Sequence, residues 1–437
     1  RHPRLPTRSR GLGDVYKRQG LPGATFCRIR RRSDQGEPTH FKMTTSERGT
    51  AYVFATDSLV QLEFAKVVKL VVGKTQTPYG KLLAEGLMPL HDHGRILQAL
   101  RETEEARLIL QEDGPLRLGS GDDLLPHLET LHTEGLRLET EVLRDVRSAL
   151  ESASETRQQL FNSEHCSLLI AFAKRLTPIP ELVAEIRRSI GQHGEILDTA
   201  SFELGDLRHN IKKERTRVKR QLEKLLQDES LQGVFQESLM TDRNGRYVVP
   251  IRADHSGRLK GFVHDVSASG QTLYLEPAST LESNNRIQTT LHKIAREEER
   301  ILAGLTAGVR KVRKELAENQ AVLAHLDLRQ AIARLTVEMD GIVPELTEKP
   351  CLGLLDARHP LLVAAKLADS VAPSPVPVDV RLAEECQALS ISGPNTGGKT
   401  VALKTAGVLV LLVRAGRPIP CAAGSRGFPF SRVLSVC

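Results

Sequence analysis

Apolar residues recur along most of this chain at three- and four-residue spacing, so the pattern predicts helices over most of its length. Ser58–Val71 reads as one amphipathic helix with Ser58 as its cap. Further helical patterns cover 94–111, 124–150, 153–162 and 180–190, broken at Gly119-Ser-Gly121, Thr177-Pro-Ile-Pro180, Gly191 and Gly194. Leu204, Leu207, Ile211, Val218, Leu222 and Leu225 then follow a heptad-like spacing. Ile287, Leu291, Ile294, Ile301, Leu305, Val312 and Leu316 repeat it. Charged residues fill the positions between, as in a coiled-coil pair. An unbroken second helix over 281–338 would span roughly 85 Å, with Gly304 and Gly308 as places for a bend.

The period changes to two between these helices. Tyr247–Ile251, Gly261–Val266 and Gln271–Glu276 read as strands, and Asn244-Gly245 as a tight turn. A small sheet at the far end of a helix pair suits a clamp that grips something long. The insert carries Arg243, Arg246, Arg252, Arg258 and Lys260. The helix before it carries Lys212, Lys213, Arg215, Arg217, Lys219, Arg220 and Lys224 against Glu214 and Glu223. Such arms favour phosphate backbones without implying base specificity; the bland alternative is a solvated face.

The most informative stretch is Gly393-Pro-Asn-Thr-Gly-Gly398-Lys399-Thr400, which fits G-x-x-x-x-G-K-[ST] without a mismatch. It follows the apolar run 388–392, read as a strand, and precedes a helical run to Val413. Backbone amides of such a loop close around phosphate oxygens, aided by the helix N-terminus. Lys399 would reach the β- and γ-phosphates of ATP, and the Thr400 hydroxyl would meet its Mg²⁺. Pro394, Asn395, Thr396 and Gly397 complete the loop.

Composition narrows this picture. The 437 residues allow two to four domains. Aromatics are 4% and Trp is absent, which suits a Leu-, Val- and Ala-built helical core. The net charge of +7 is not a property of the whole: residues 1–42 hold 11 Lys and Arg against 3 Asp and Glu, more than the entire excess. That stretch shows no structural period and reads as a leader translated from upstream or as linker sequence, with the fold starting at Met43. Six scattered cysteines without a C-x-x-C pair fit a reducing cytoplasm, and no apolar run is long enough to span a membrane. His91-Asp-His93 reads as a surface turn rather than a metal site.

With these pieces in view the chain resembles the MutS superfamily, and most closely its second bacterial branch, MutS-two, whose members bear a C-terminal Smr domain. The resemblance rests on the phosphate loop, on Ala357-Arg-His-Pro-Leu361, on Arg243-Asn-Gly-Arg-Tyr-Val-Val-Pro250, on Gly261-Phe-Val-His-Asp-Val-Ser-Ala-Ser-Gly270 and on Thr103-Glu-Glu-Ala106. It covers most of Met43–Arg417. It implies a mainly α fold with an α/β part: a helical core (43–200), coiled-coil levers (201–240 and 280–345), a β clamp (241–279) and a P-loop ATPase segment (346–437). It places Arg358, His359 and Pro360 near the nucleotide. It implies a homodimeric ATPase that closes on branched or recombination DNA to suppress homologous recombination, with nuclease activity in the Smr domain. A ribosome- and rRNA-directed ATPase, or a non-catalytic coiled-coil binding fragment, are the alternatives. Phe235-Gln-Glu237 matches the wedge of mismatch-reading relatives, but it abuts the clamp instead of occupying an N-terminal domain, so it is a coincidence. Only 37 residues follow Thr400, without an acidic Walker B strand, so the resemblance implies a truncated chain that binds nucleotide without turnover and has no catalytic residue of its own.

Overall fold

The computed structural model describes residues 56–119, 121–133, 135–386, 388–392, 398–427, 430 and 433–435. It is α-rich with two small sheets, and it divides into two compact units. Of the described residues, the first comprises those within 56–129, 148–179 and 312–435; the second comprises those within 130–147 and 180–311.

The first unit is built on a central helix. Helices α1 (Thr56–Gln61), α2 (Phe64–Val72), α3 (Pro78–Glu85), α4 (His93–Glu112) and α5 (Leu125–Thr130) precede it in sequence, as do α6 (Thr140–Asn162) and α7 (Ile170–Arg175). The single helix expected over 58–71 is instead two. Glu63 adopts a left-handed conformation, φ 56°, between α1 and α2, and the resulting turn lets both Leu62 and Phe64 enter one core. Ser58 caps nothing there; its Oγ accepts from Ser435 N at 2.9 Å.

The central helix, α11 (Arg313–Glu338), is buried on nearly every side, and its polar residues hold the surrounding loops. Asp327 accepts from Gln76 N, Thr77 N and Thr77 Oγ1, which fixes the start of α3. Asn319 accepts from Thr177 N and donates to Thr177 O. Glu102 on α4 accepts from Arg329 Nε and meets His325 Nε2, both at 2.9 Å, while the His325 ring stacks on Phe172 at 4.4 Å.

Beyond α11 come β5 (Glu345–Leu346), β6 (Leu352–Ala357), α12 (Pro360–Ala368), β7 (Val378–Leu382), α13 (Lys399–Arg414) and β8 (Arg426–Gly427). The strands form a sheet in the order β5-β8-β6-β7, antiparallel except for the β5–β8 pair. The strand expected at 388–392 is absent. No described strand lies alongside it, and a lone strand has no ladder to satisfy its amides and carbonyls. The helix after it forms as expected: Val408, Leu409, Leu411 and Leu412 of α13 are buried against Phe64, Val67, Ile96 and Leu354.

The second unit contains α8 (Pro180–Ser189), α9 (Phe202–Leu226), a four-stranded antiparallel sheet and α10 (Leu281–Lys311). Ser201 caps α9 by accepting from Leu204 N at 3.0 Å and donates to Glu297 of α10. Leu204, Ile211, Val218 and Leu222 form the buried seam of α9, facing α10. The ion pairs Arg208–Glu298 and Glu214–Arg286 fix an antiparallel register. The second long helix is interrupted at Val312, not at Gly304 or Gly308, so the 281–338 run is α10 followed by α11.

The sheet has strands β1 (Thr241–Arg243), β2 (Arg246–Arg252), β3 (Gly261–Val266) and β4 (Thr272–Pro277) in the order β1-β2-β4-β3. Asn244 and Gly245 both have positive φ, 54° and 74°, as a tight hairpin turn requires. Gly245 N adds a bond to Asp242 Oδ1. Val249, Ile251 and Leu275 extend the apolar seam of α9 and α10 into this sheet. Phe235 bridges Ile251, and Gln236 N donates to Pro250 O, so the wedge-like tripeptide is a margin of the sheet.

Candidate nucleotide site and nucleic-acid face

The phosphate-binding motif is described from Gly398 onward; Gly393, Pro394, Asn395, Thr396 and Gly397 lie outside the described residues. Gly398 is the N-cap of α13 and is left-handed, φ 77°, a conformation that a side chain would strain. The first intrahelical bond runs from Ala402 N to Gly398 O, so the amides of Thr400 and Val401 are not used by the helix. Lys399 and Thr400 open its first turn, and Thr400 is exposed. Positive helix-end charge, a lysine and a hydroxyl on one turn fit a phosphate chain. Thr400 would supply one oxygen to a magnesium ion that ATP would carry on its own phosphates.

The structure gathers three further groups here. Glu63, in the turn before α2, pairs with Lys404 of α13 at 3.6 Å and also with Lys66. The hydrogen bond from Lys66 holds its carboxyl below the usual range, with help from Lys404. His359 feels the Glu63 charge as well, but burial dominates and pushes its imidazole below the ordinary value. His359 caps α12 through Nδ1, which accepts from Leu361 N at 3.3 Å; Pro360 occupies the first turn, and Arg358 N donates to Pro420 O. The Arg-His-Pro motif is therefore a junction between β6 and α12, linked electrostatically through Glu63 to the second turn of α13. Neither Glu63 nor Lys404 carried a sequence signal beyond the position of Lys404 on the same helix.

The insert arginines meet different fates. Arg246 donates to both carboxylate oxygens of Glu276 at 2.9 Å and to Asn285 Oδ1 at 2.7 Å. Glu276 is 0% exposed and is also bound by His264 Nε2 and Asn284 Nδ2. Arg243 pairs with Asp265 at 3.3 Å and lies over the Tyr274 ring at 4.1 Å. Arg252 pairs loosely with Asp254 on the surface. Arg258 and Lys260 are exposed and make no ion pair among the described residues. Sequence reasoning missed Glu276; its only trace was a carboxylate inside an otherwise apolar strand.

His91 of the His-Asp-His stretch contacts Arg414 Nη2 at 3.3 Å through Nδ1, and Asp92 caps α4 by accepting from Arg95 N. Among the described residues no helix is long and apolar enough to cross a membrane.

No protein-family model matches the chain. It is 38% identical over 386 residues to a protein of Thermomicrobium roseum named Endonuclease MutS2, covering 85% of this chain and 47% of the relative. Proteins of the same name from Pelotomaculum thermopropionicum and Brevibacillus brevis are 35% and 34% identical over 380 residues, covering 86% of this chain and 47% of each relative. The chain thus spans about half the length of the curated relatives it matches.

Proposed function

Since the chain belongs to the MutS2 family across the stretch it shares with those relatives, we propose that it is the nucleotide-binding and nucleic-acid-gripping portion of an ATP-dependent clamp. The first unit carries the P-loop helix, and ATP with Mg²⁺ is its ligand. The second unit carries the levers and the β insert, and branched or recombination DNA is its partner. A homodimer is the working form, recombination is what the clamp suppresses, and cleavage belongs to the full-length family member. The observation that carries this reading is the start of α13: a left-handed Gly398 at the cap, then Lys399 and Thr400 on the first turn.

The supporting chemistry is electrostatic. A helix N-terminus and Lys399 stabilise phosphate charge, and Glu63 holds Lys404 one turn further along the helix. Glu63 is already bound by two lysines, so it is not offered as the acid that would position a water. The reading is therefore of nucleotide binding without turnover by these residues alone. Equilibrium binding of a fluorescent ATP analogue with Mg²⁺ tests it. Lys399→Ala is expected to weaken binding at least tenfold, about 1.4 kcal/mol. Wild-type protein that holds no nucleotide at millimolar ligand would sink the reading.

A further inference from the structure

The sequence offers two basic clusters for a polyanion, and the structure treats them differently. In the insert, Arg246 is spent on the buried Glu276, and Arg243 pairs with the exposed Asp265 and lies over Tyr274. On α9 the opposite holds. Lys213, Arg217, Arg220 and Lys224 are all exposed, and none makes an ion pair among the described residues. Their spacing of four, three and four residues places them on one stripe, roughly opposite the buried seam of Leu204, Ile211, Val218 and Leu222.

Two features make this stripe more than a solvated face. Like charges one turn apart repel, so stacking four of them destabilises the helix unless an anion lies across them. Ordinary exposed helices interleave carboxylates at this spacing; here Glu214 lies off the stripe, turned toward Arg286 of α10, and Glu223, exposed to one side of it, makes no ion pair with Arg220 or Lys224 among the described residues. The row is also rigid, because the other side of α9 is held by α10 and by the insert core. Four charges along about 16 Å of helix match a duplex strand, which presents one phosphate per about 3.4 Å of its axis.

We infer that the outer stripe of α9, Lys213, Arg217, Arg220 and Lys224, is the principal phosphate-backbone contact of this protein, ahead of the insert arginines. The inference rests on the proposed nucleic-acid function and assigns its contact surface. The partner is a polynucleotide read through its phosphates, without base preference. A membrane fits less well, since the apolar face of α9 is already buried and has nothing to insert among lipids.

The test uses the full chain and a 30-base-pair duplex, as DNA and as RNA, titrated across a salt series. Changing all four residues to Gln is expected to lower affinity at least tenfold near 0.1 M salt. It should reduce the slope of log K against log salt by about 3.6 on both duplexes, since each lost phosphate contact removes about 0.9. Arg252→Gln, Arg258→Gln and Lys260→Gln together should change the slope by less than about 1. Helicity of the stripe variant by circular dichroism should match wild type, because the four side chains are exposed. Binding by wild type with an unchanged slope in the stripe variant would overturn the inference and leave the functional reading standing. A chain that holds ATP but neither duplex would overturn the nucleic-acid reading as well. Tighter binding to phosphatidylserine-containing vesicles than to duplex, lost in the stripe variant, would reassign the stripe to a lipid surface.

Discussion

The β insert and the carboxyl end of α13 each bury charge, and they handle it in opposite ways. In the insert, Glu276 is closed off from water and every part of its carboxylate is answered: by Arg246, by His264 and by Asn284. At the end of α13 and just past it, two arginines are buried, Arg414 and Arg417. Arg414 donates to Leu90 O and Phe430 O. Arg417, 3% exposed, has no acceptor for Nε or Nη1 among the described residues, and burial alone brings its guanidinium down to about 10. A satisfied buried charge specifies a geometry, whereas an unsatisfied one only costs stability. The buried Glu276 of the insert is thus fully paired, while the turn after α13 carries a guanidinium whose Nε and Nη1 find no acceptor among the described residues.

Removing the charge that is best satisfied should do the most damage. Glu276→Ala strands Arg246 and Asn284 and is expected to cost about 4 kcal/mol, read as a lowered thermal midpoint. A cost below about 1 kcal/mol would mean the network is decorative. Next comes Glu102 in the first unit. Burial pushes its carboxyl up, but His325 and Arg329 outweigh that and bring it from 4.5 to about 2. The folded value lies below the unfolded one, so the stabilisation is complete above pH 4.5 and lost as pH falls toward 2. It amounts to about 3 kcal/mol. Wild type and Glu102→Gln should accordingly differ most at neutral pH and converge near pH 2 in melts followed across pH.

The two arginines provide the sharpest contrast. Arg414→Met should cost about 2 kcal/mol, because the half-buried carbonyls of Leu90 and Phe430 lose their donor. Arg417→Met should be neutral or stabilising by about 1 kcal/mol, since it removes only a desolvated charge. Equal destabilisation by both, in urea unfolding followed by circular dichroism, would erase the contrast.

Much of the architecture was legible because it rests on periodicity. The heptad spacing of Ile211, Val218 and Leu222 found a real seam, and Asn244-Gly245 found a real hairpin. Errors arose where tertiary demands override a local pattern. Nothing in Ser58–Val71 announces that Glu63 will be left-handed; the turn exists because Leu62 and Phe64 share one core. The apolar run at 388–392 looked like a strand, but strand formation depends on a neighbour that a run of residues cannot reveal. The interruption at Val312 escaped because glycine is the usual signal for a bend and valine is not. At the candidate sites, the place of Lys399 and Thr400 on the first turn of a helix was readable from spacing. Glu63 and Glu276 were not, since their partners are remote in sequence or face them only once the strands pair. Arg243 and Arg246 were readable as cations but not as cations already committed to carboxylates.

The interruption at Val312 also falls where the chain leaves the second unit for the last time. The first unit is assembled from three separated segments, and α11 (from Arg313) cannot meet α4 (ending at Glu112) until the stretch 113–312 has been closed off as a loop. The second unit is nearly continuous and its helix pair is joined by a local hairpin-rich insert. Low contact order favours early formation, so α9, the β insert and α10 are expected to gain amide protection before the α11 core during refolding. Pulse-labelling hydrogen exchange would show the reverse order if the central helix nucleates instead. On a ribosome the same topology holds the earliest segment of the first unit open until its last one emerges, so that unit is the one most in need of protection from premature association.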